Sequence, residues 1–508
     1  MRPASGRRRN ERVRTASRVP ERLKSTGFAS IIVALTAATV SVAGSWTSVY
    51  GFDEVATVSA ADRPLPELLR LVTQFIDAVH GAYYLGAHVW VQLFGMDHWS
   101  IRIISAVAVG VAAAGVVLLG RKIASLKVGV LSGLIFAILP QVTWMGTEAR
   151  SYALTAAFAV WLTVVLLKAT TQTRYWIVYA ALGFVGVTIF IYLALLILAH
   201  GMTLLLVRAY RTRRNIRGFV LAAATAAVLS SPVIYFSYVQ KAQVAWIPQL
   251  SLTTIEQVLL DQWFGGAVLF AVVAWAAILF FFVNAAGGPH SRVAAYSSAN
   301  VVLLGLWLAV PTVAILVLSV VSDPLYIPRY LSFTLPAVAL VIGVVVSQLR
   351  SRLLAGALVV LLLAAVPTYI TQRSETARGN DWIEVSAYLD GRVQPGDGVY
   401  FNTEVRDTSD RTRVLMMIYP SIFESVNDFA FGSSYRVNGD LFDATIPLVQ
   451  VTSKLSGTDR IWVVYGAGLA WDGTEEQVAL ANLGFEQTEY EQGDVTDVRL
   501  LVRSAATR

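Results

Sequence analysis

Apolar runs of roughly 15 to 22 residues recur from Gly27 to about Thr371, and few folds accept that pattern. About 20 helical residues at ~1.5 Å rise each cross a hydrocarbon layer of ~30 Å, so each run spans or nearly spans a bilayer. Backbone groups in lipid must find partners within their own segment, which leaves helices as the form these runs can take. The chain is therefore expected to be a polytopic α-helical membrane protein with about eleven spans. They fall near 27–46, 101–120, 125–140, 151–169, 176–190, 192–208, 217–239, 264–285, 298–320, 330–348 and 353–371. Composition agrees: only 14% of residues are charged, where soluble globular proteins run near a quarter.

Charge sets the orientation. The net charge of +7 is gathered in short clusters between apolar runs, not in a stripe that tracks a phosphate backbone, which argues against nucleic-acid binding. Besides a basic tail over 1–26, the clusters are Arg121, Lys122 and Lys127; Lys168 and Arg174; Arg208 to Arg217; Arg292; and Arg350 and Arg352. All can be cytoplasmic if an even number of crossings separates successive clusters. The tail is then a cytoplasmic N-terminus. The first run ends at "GSWTS" without a small-x-small cleavage site, so it reads as a retained helix.

Parity decides one ambiguous stretch. Counting residues 75–99, "FIDAVHGAYYLGAHVWVQLFGMDHW", as a span would move Arg121 and Lys122 outside. Its His, Tyr and Trp residues suit headgroup depth, and Asp77 would be costly in hydrocarbon. Residues 47–100 are thus expected to form a long outer loop with interfacial helices. The same count places 372–508 outside the cytoplasm. There the composition changes, with strands such as "RIWVVYG" separated by helical stretches such as "TEEQVALANLG", which predicts a small α/β domain of the doubly wound kind.

Ionisable residues on the outer side converge on one face. They are Asp53, Glu54, Asp62, Asp77, His80, Arg102, Glu148, Arg150, Lys241, Asp261, Asp323 and Arg329, accompanied by Tyr152, Trp246, Trp263, Tyr326 and Tyr330. Carboxylates facing Arg, His and Lys suit a reaction in which a hydroxyl attacks and a phosphate departs. The carboxylate accepts the proton while the cations neutralise the leaving group. Each group also has a plainer role: helix-end charge for Asp53 and Glu54, headgroup anchor for Arg102 and Arg329, hydrogen-bonded bystander for His80. Asp77 with His80 at a spacing of three supplies two ligands for a metal, too few to define a site. The chain has no cysteine, which excludes disulfides and thiolate chemistry.

The order of these residues carries a resemblance. An acidic pair after the first helix, then "DAVHGAYYLGAHVWVQLFG", "IRIISAVAV", "ILPQVTWMGTEARSYAL" and "YIPRYLSFTLPA", resembles the type-C (GT-C) membrane glycosyltransferases over about residues 27 to 350. The branch is that of protein O-mannosyltransferases and the aminoarabinose transferase, and the likeness is greatest to actinobacterial mannosyltransferase-like members. The resemblance implies a transmembrane GT-C catalytic domain over 27–371 and transfer of a sugar, mannose first, from a polyprenyl-phosphate donor to an acceptor hydroxyl on the extracytoplasmic face, with inversion. It assigns Asp53 as general base with Glu54 beside it. His80, Arg102, Arg150, Tyr152, Arg329 and Tyr330 fall to the donor phosphate, and Asp77 and Glu148 to acceptor or metal. "GAYY" stands where the family commonly has prolines. Partners would be the lipid-linked donor, a glycolipid, polysaccharide or protein acceptor, and membrane lipids. A divalent ion on the outer carboxylates is open, as are a pentose such as arabinose in place of mannose and a transporter or flippase of lipid-linked sugars.

Overall fold

In a computed structural model of the protein the described residues are 21–286, 298–403 and 411–504. Arg292 and most of the basic tail lie outside them. Apolar helices occupy all eleven expected positions. Among the described residues eight are long and apolar enough to cross a membrane: Ser25–Val42, His98–Ile123, Tyr152–Ala169, Arg213–Val239, Val268–Ala286, Ser298–Val321, Pro328–Ser347 and Ser351–Thr371. Leu126–Ile138, Tyr175–Ile189 and Ile191–Leu206 are shorter.

Small residues let these helices approach. A Cβ on Gly129 would run into the Val117 carbonyl, so the crossing of Leu126–Ile138 over His98–Ile123 depends on a glycine there, as is common where helices pack in lipid. Basic loops bind neighbouring loops and helix ends: Arg121 donates to Thr26, Lys127 to the Ser347 carbonyl (2.7 Å), and Arg214 to the carbonyls of Thr170 and Thr171.

Two helices outside the spans matter for the site: α1 (Phe52–Ala61) and α2 (Gly81–Phe94). The segment 75–99 holds a one-turn 3-10 helix, Ala78–His80, followed by α2 of 14 residues. Beyond the last span come α3 (Trp382–Leu389) and a four-stranded sheet of β1 (Gly398–Phe401), β2 (Arg460–Gly466), β3 (Phe485–Glu491) and β4 (Thr496–Arg503), in the order β1-β2-β4-β3.

Only β1 and β2 run parallel, and the other pairs are antiparallel, so the sheet is mixed where a doubly wound one was expected. The reason is local. A parallel crossover needs a dozen or more residues, and the connection 492–495 can close only a hairpin.

Side chains alternate across this sheet. Val399, Phe401, Trp462, Val464, Val498 and Leu500 point to one face, where they share a core with Val55 and Ala56 of α1, Leu68, and Tyr83 and Tyr84 of α2. Tyr400, Ile461, Val463 and Leu501 point to the other, against Leu455 and Leu480. The loop 47–100 therefore covers one face of the C-terminal sheet, and the two form a single packed layer over the end of the helix bundle.

Candidate active site

Helix α1 begins at Gly51, whose N–H donates to the Glu54 carboxylate (2.9 Å) in a capping-box arrangement. That start points two consecutive carboxylates in different directions. Glu54 turns inward and is fully buried. Arg102 donates to it through Nε (2.8 Å) and Nη2 (2.5 Å), and the Ala149 N–H adds a bond of 2.9 Å. The remaining Arg102 donors go to the carbonyls of Ser45, Ser48 and Val49. Burial raises the Glu54 carboxyl, but Arg102 and Arg378 outweigh it and hold it at about 2. Neither Glu54 nor Arg102 lines the cavity described next. This corrects the expectation of Glu54 as half of a catalytic pair and of Arg102 as a phosphate ligand. Both are consumed by one buried ion pair that fixes α1 on the bundle.

Asp53 turns outward, one-third exposed, into a cavity of about 820 Å³ between the loop, the bundle and the C-terminal region. Arg150 Nη2 lies 3.3 Å from its Oδ1 and Arg329 Nη2 3.3 Å from its Oδ2. Burial pushes this carboxyl up, yet the two guanidiniums prevail and hold it at about 2. Arg329 is itself aimed by neighbours: Nε donates to the Tyr152 hydroxyl (3.3 Å), and the rings of Trp246 and Tyr330 lie 5.8 and 5.7 Å from its guanidinium carbon.

Arg150 is positioned by Asp77 and Tyr84. Its Nη1 donates to the Tyr84 hydroxyl (2.5 Å) and lies 3.5 Å from Asp77, to which Tyr84 also donates. Asp77 has left-handed backbone (φ 66°), uncommon outside glycine, and the turn is pinned from outside. The Asp77 and Ala78 N–H groups donate to the side chains of Gln243 (2.7 Å) and Gln240 (2.9 Å).

His80 differs from the cation expected. It is buried, stacked on Phe190 (5.5 Å) with Nδ1 3.2 Å from Ser151 Oγ, and burial with Arg150 pushes it down to about 4. At neutral pH it is a neutral hydrogen-bonding group with no charge to give a phosphate. Lys241 and Asp323 pair with each other at the surface (2.8 Å), away from the cavity. Glu148 lines the cavity and bonds Arg378. Burial pushes its carboxyl up to about 7 against the pull of Arg378, with the Glu54 carboxylate adding to the rise.

For a metal the donors fit poorly. The two candidates, Asp77 and Glu148, each face a guanidinium, and among the described residues no three His, Asp or Glu side chains converge. The sequence reading missed Arg378, Arg411, Asp440 and Phe442, all on the cavity wall. Arg378 had one signal: it is a basic residue just after the last apolar run, in the stretch that parity is expected to place outside the cytoplasm, where the positive-inside rule expects few.

Residues 82–236 match the sequence profile of a family described as dolichyl-phosphate-mannose-protein mannosyltransferase. No curated protein matches in sequence. In structure the chain is similar to ArnT from Cupriavidus metallidurans bound to undecaprenyl phosphate, with a TM-score of 0.58 at 13% identity, covering 94% of this chain and 98% of that one. The apo form of the same protein gives 0.56 at 12%, with 95% and 99% covered. The chain has the GT-C fold. At such low identity the likeness speaks to fold alone. In the GT-C fold as this chain builds it, the acidic position after the first helix, the arginine after Leu126–Ile138 and the late arginine before Leu335 meet at one carboxylate.

Proposed function

We propose that this protein is a glycosyltransferase that moves a sugar, mannose, from a polyprenyl-phosphate donor to an acceptor hydroxyl on the extracytoplasmic side of the membrane. The observation that carries this is the Asp53 carboxylate held between Arg150 and Arg329 in a cavity beside apolar helices. The family matched over 82–236 and the undecaprenyl phosphate bound by the ArnT relative support a lipid-linked donor. The division expected from sequence goes with it: transmembrane catalytic domain over 27–371, extracytoplasmic α/β domain over 372–508.

In this mechanism a donor phosphate draws Arg329 and Arg150 toward itself. As they leave Asp53, its basicity rises from the depressed level at which two cations hold it. The acceptor hydroxyl gives its proton to Asp53, its oxygen bonds the anomeric carbon from the face opposite the phosphate, and the carbon–phosphate oxygen bond breaks with its electron pair on the phosphate. The anomeric configuration inverts. The guanidiniums stabilise the negative charge that grows on the leaving group. Tyr152, Trp246 and Tyr330 keep Arg329 aimed, and Asp77 with Tyr84 keep Arg150 aimed.

The test is transfer in nanodiscs with polyprenyl-phosphate mannose. Asp53→Asn is expected to lower kcat by about 10² to 10⁴, the usual weight of a general base, with unchanged folding. Unimpaired turnover would defeat the assignment. Polyprenyl-phosphate arabinose in the same assay decides between hexose and pentose. Because the chain lacks cysteine, a single Asp53→Cys variant also reports from which side of the membrane the cavity opens.

A further inference from the structure

A second cavity of about 240 Å³ adjoins the first. Arg411, Asp440 and Phe442 line both, so they form the wall between them. Phe442 packs on Phe52, the neighbour of Asp53, at 4.8 Å between ring centroids. The Arg411 guanidinium sits 4.7 Å from the Phe442 centroid and 3.6 Å from the Asp440 carboxylate. This wall is an aromatic ring crossed by an exposed ion pair, one residue from the proposed base.

Beyond it most of the lining residues carry polar groups, among them Asn402, Arg413, Tyr435, Asn438, Asp443 and Thr445, with Val414 and Met417 adding apolar surface. Arg413 is buried and fixed by Asp428 and by Thr445 (3.3 Å), and its Nε has no partner among the described residues. Donors and acceptors gathered around one cavity suit something that hydrogen-bonds to them.

Charge narrows what that something is. Arg411 is matched by Asp440 and Arg413 by Asp428, whereas at Asp53 two guanidiniums share one carboxylate. An anion in the second cavity would have to separate existing pairs. A neutral ligand rich in hydroxyls can donate to the carboxylates and accept from Arg and Asn side chains, and can lay an apolar ring face on an aromatic side chain. At ~30 Å³ per water, the cavity holds about eight waters' volume, the size of one sugar ring.

Resting on the glycosyltransferase reading, we infer that this second cavity is an acceptor subsite for an uncharged sugar residue. The acceptor is then a glycan of at least two sugars. The one that carries the attacking hydroxyl sits at Asp53, and the next lies across Phe442 in the C-terminal region, between Arg411, Asp440 and Arg413.

The experiment uses the full-length chain in nanodiscs with a single cysteine in place of Met417, a half-buried residue on the second cavity's lining. Maleimide labelling is timed with methyl glycosides of mannobiose and arabinobiose, with the two monosaccharide glycosides, and with a serine-containing peptide. At least one disaccharide is expected to slow labelling severalfold, in the wild-type and Asp53→Asn backgrounds alike, with monosaccharides and peptide much weaker. No protection by either disaccharide, or protection by the peptide, would overturn the subsite.

In kinetics Asp440→Asn is expected to raise the KM for the protecting disaccharide about tenfold, the weight of roughly one lost hydrogen bond, with kcat held. An unchanged KM would count against the subsite. Protection without transfer from polyprenyl-phosphate sugars would leave the subsite standing and sink the donor reading. Transfer without protection would do the reverse.

Discussion

Asp53 and Glu54 are neighbours in sequence with opposite surroundings. Glu54→Gln removes the carboxylate bonded to the buried Arg102, and leaving that charge uncompensated is expected to cost about 3 to 5 kcal/mol. Thermal unfolding in nanodiscs should show it, while Asp53→Asn, at a one-third exposed position between two arginines, should lower the midpoint by less. The pH dependence differs too. The Asp53 carboxyl is depressed from 3.8 to about 2, so its contribution to stability is present above pH 4 and lost as pH falls toward 2. The Glu148 carboxyl is raised from 4.5 to about 7, so its contribution is present below about pH 4.5 and lost as pH rises through 7. Between about pH 4.5 and 7 the wild-type midpoint should therefore fall relative to that of Glu148→Gln, and the difference should level off above pH 7. The residue types were legible in the sequence. Their division of labour was not, because it depends on which way the first turn of α1 faces.

At the scale of elements, the turn that carries Asp77 and His80 is held from a distant part of the chain. Gln240 accepts from the Ala78 N–H and donates to the Val72 carbonyl (3.0 Å). Gln240→Ala leaves both buried backbone groups unpaired, at about 1 to 3 kcal/mol each, and loosens the support of Arg150. The expected outcome is faster hydrogen exchange confined to residues 72–80 together with lower kcat. Unchanged exchange there would refute this role. The expectation that 75–99 lies in the interface rests on parity and on Asp77, both present in the sequence. The left-handed Asp77 and its glutamine clamps did not, since they arise from a contact between segments more than 150 residues apart in the chain.

For the molecule as a whole, the C-terminal region is joined to the loop and bundle by specific bonds. Ser59 donates to the Leu441 carbonyl, Arg63 to those of Asn438 (3.1 Å) and Asp440, and Tyr435 and Arg436 to Asp62. Arg373 caps the carboxyl end of the first span through the carbonyls of Val40, Ser41 and Ala43. A chain ending at 371 would lose these bonds together with Arg378, and would expose Val55, Leu68 and Tyr84. It is expected to aggregate on size-exclusion chromatography instead of yielding an active transmembrane core. A monodisperse truncated protein that still transfers sugar would contradict this.

The sequence by itself determined the helical membrane architecture, the positions of the apolar helices and the ionisable residues that gather at one end. These follow from run length, hydropathy and charge sign, which are properties of short segments. The tertiary structure alone decided that Asp53 meets Arg150 and Arg329, that Glu54 and Arg102 are spent on each other, and that Arg378, Arg411 and the segment 440–442 of the C-terminal region supply part of the cavity wall. Those outcomes rest on pairings between residues far apart in the chain, and no local pattern encodes which guanidinium a buried carboxylate will find.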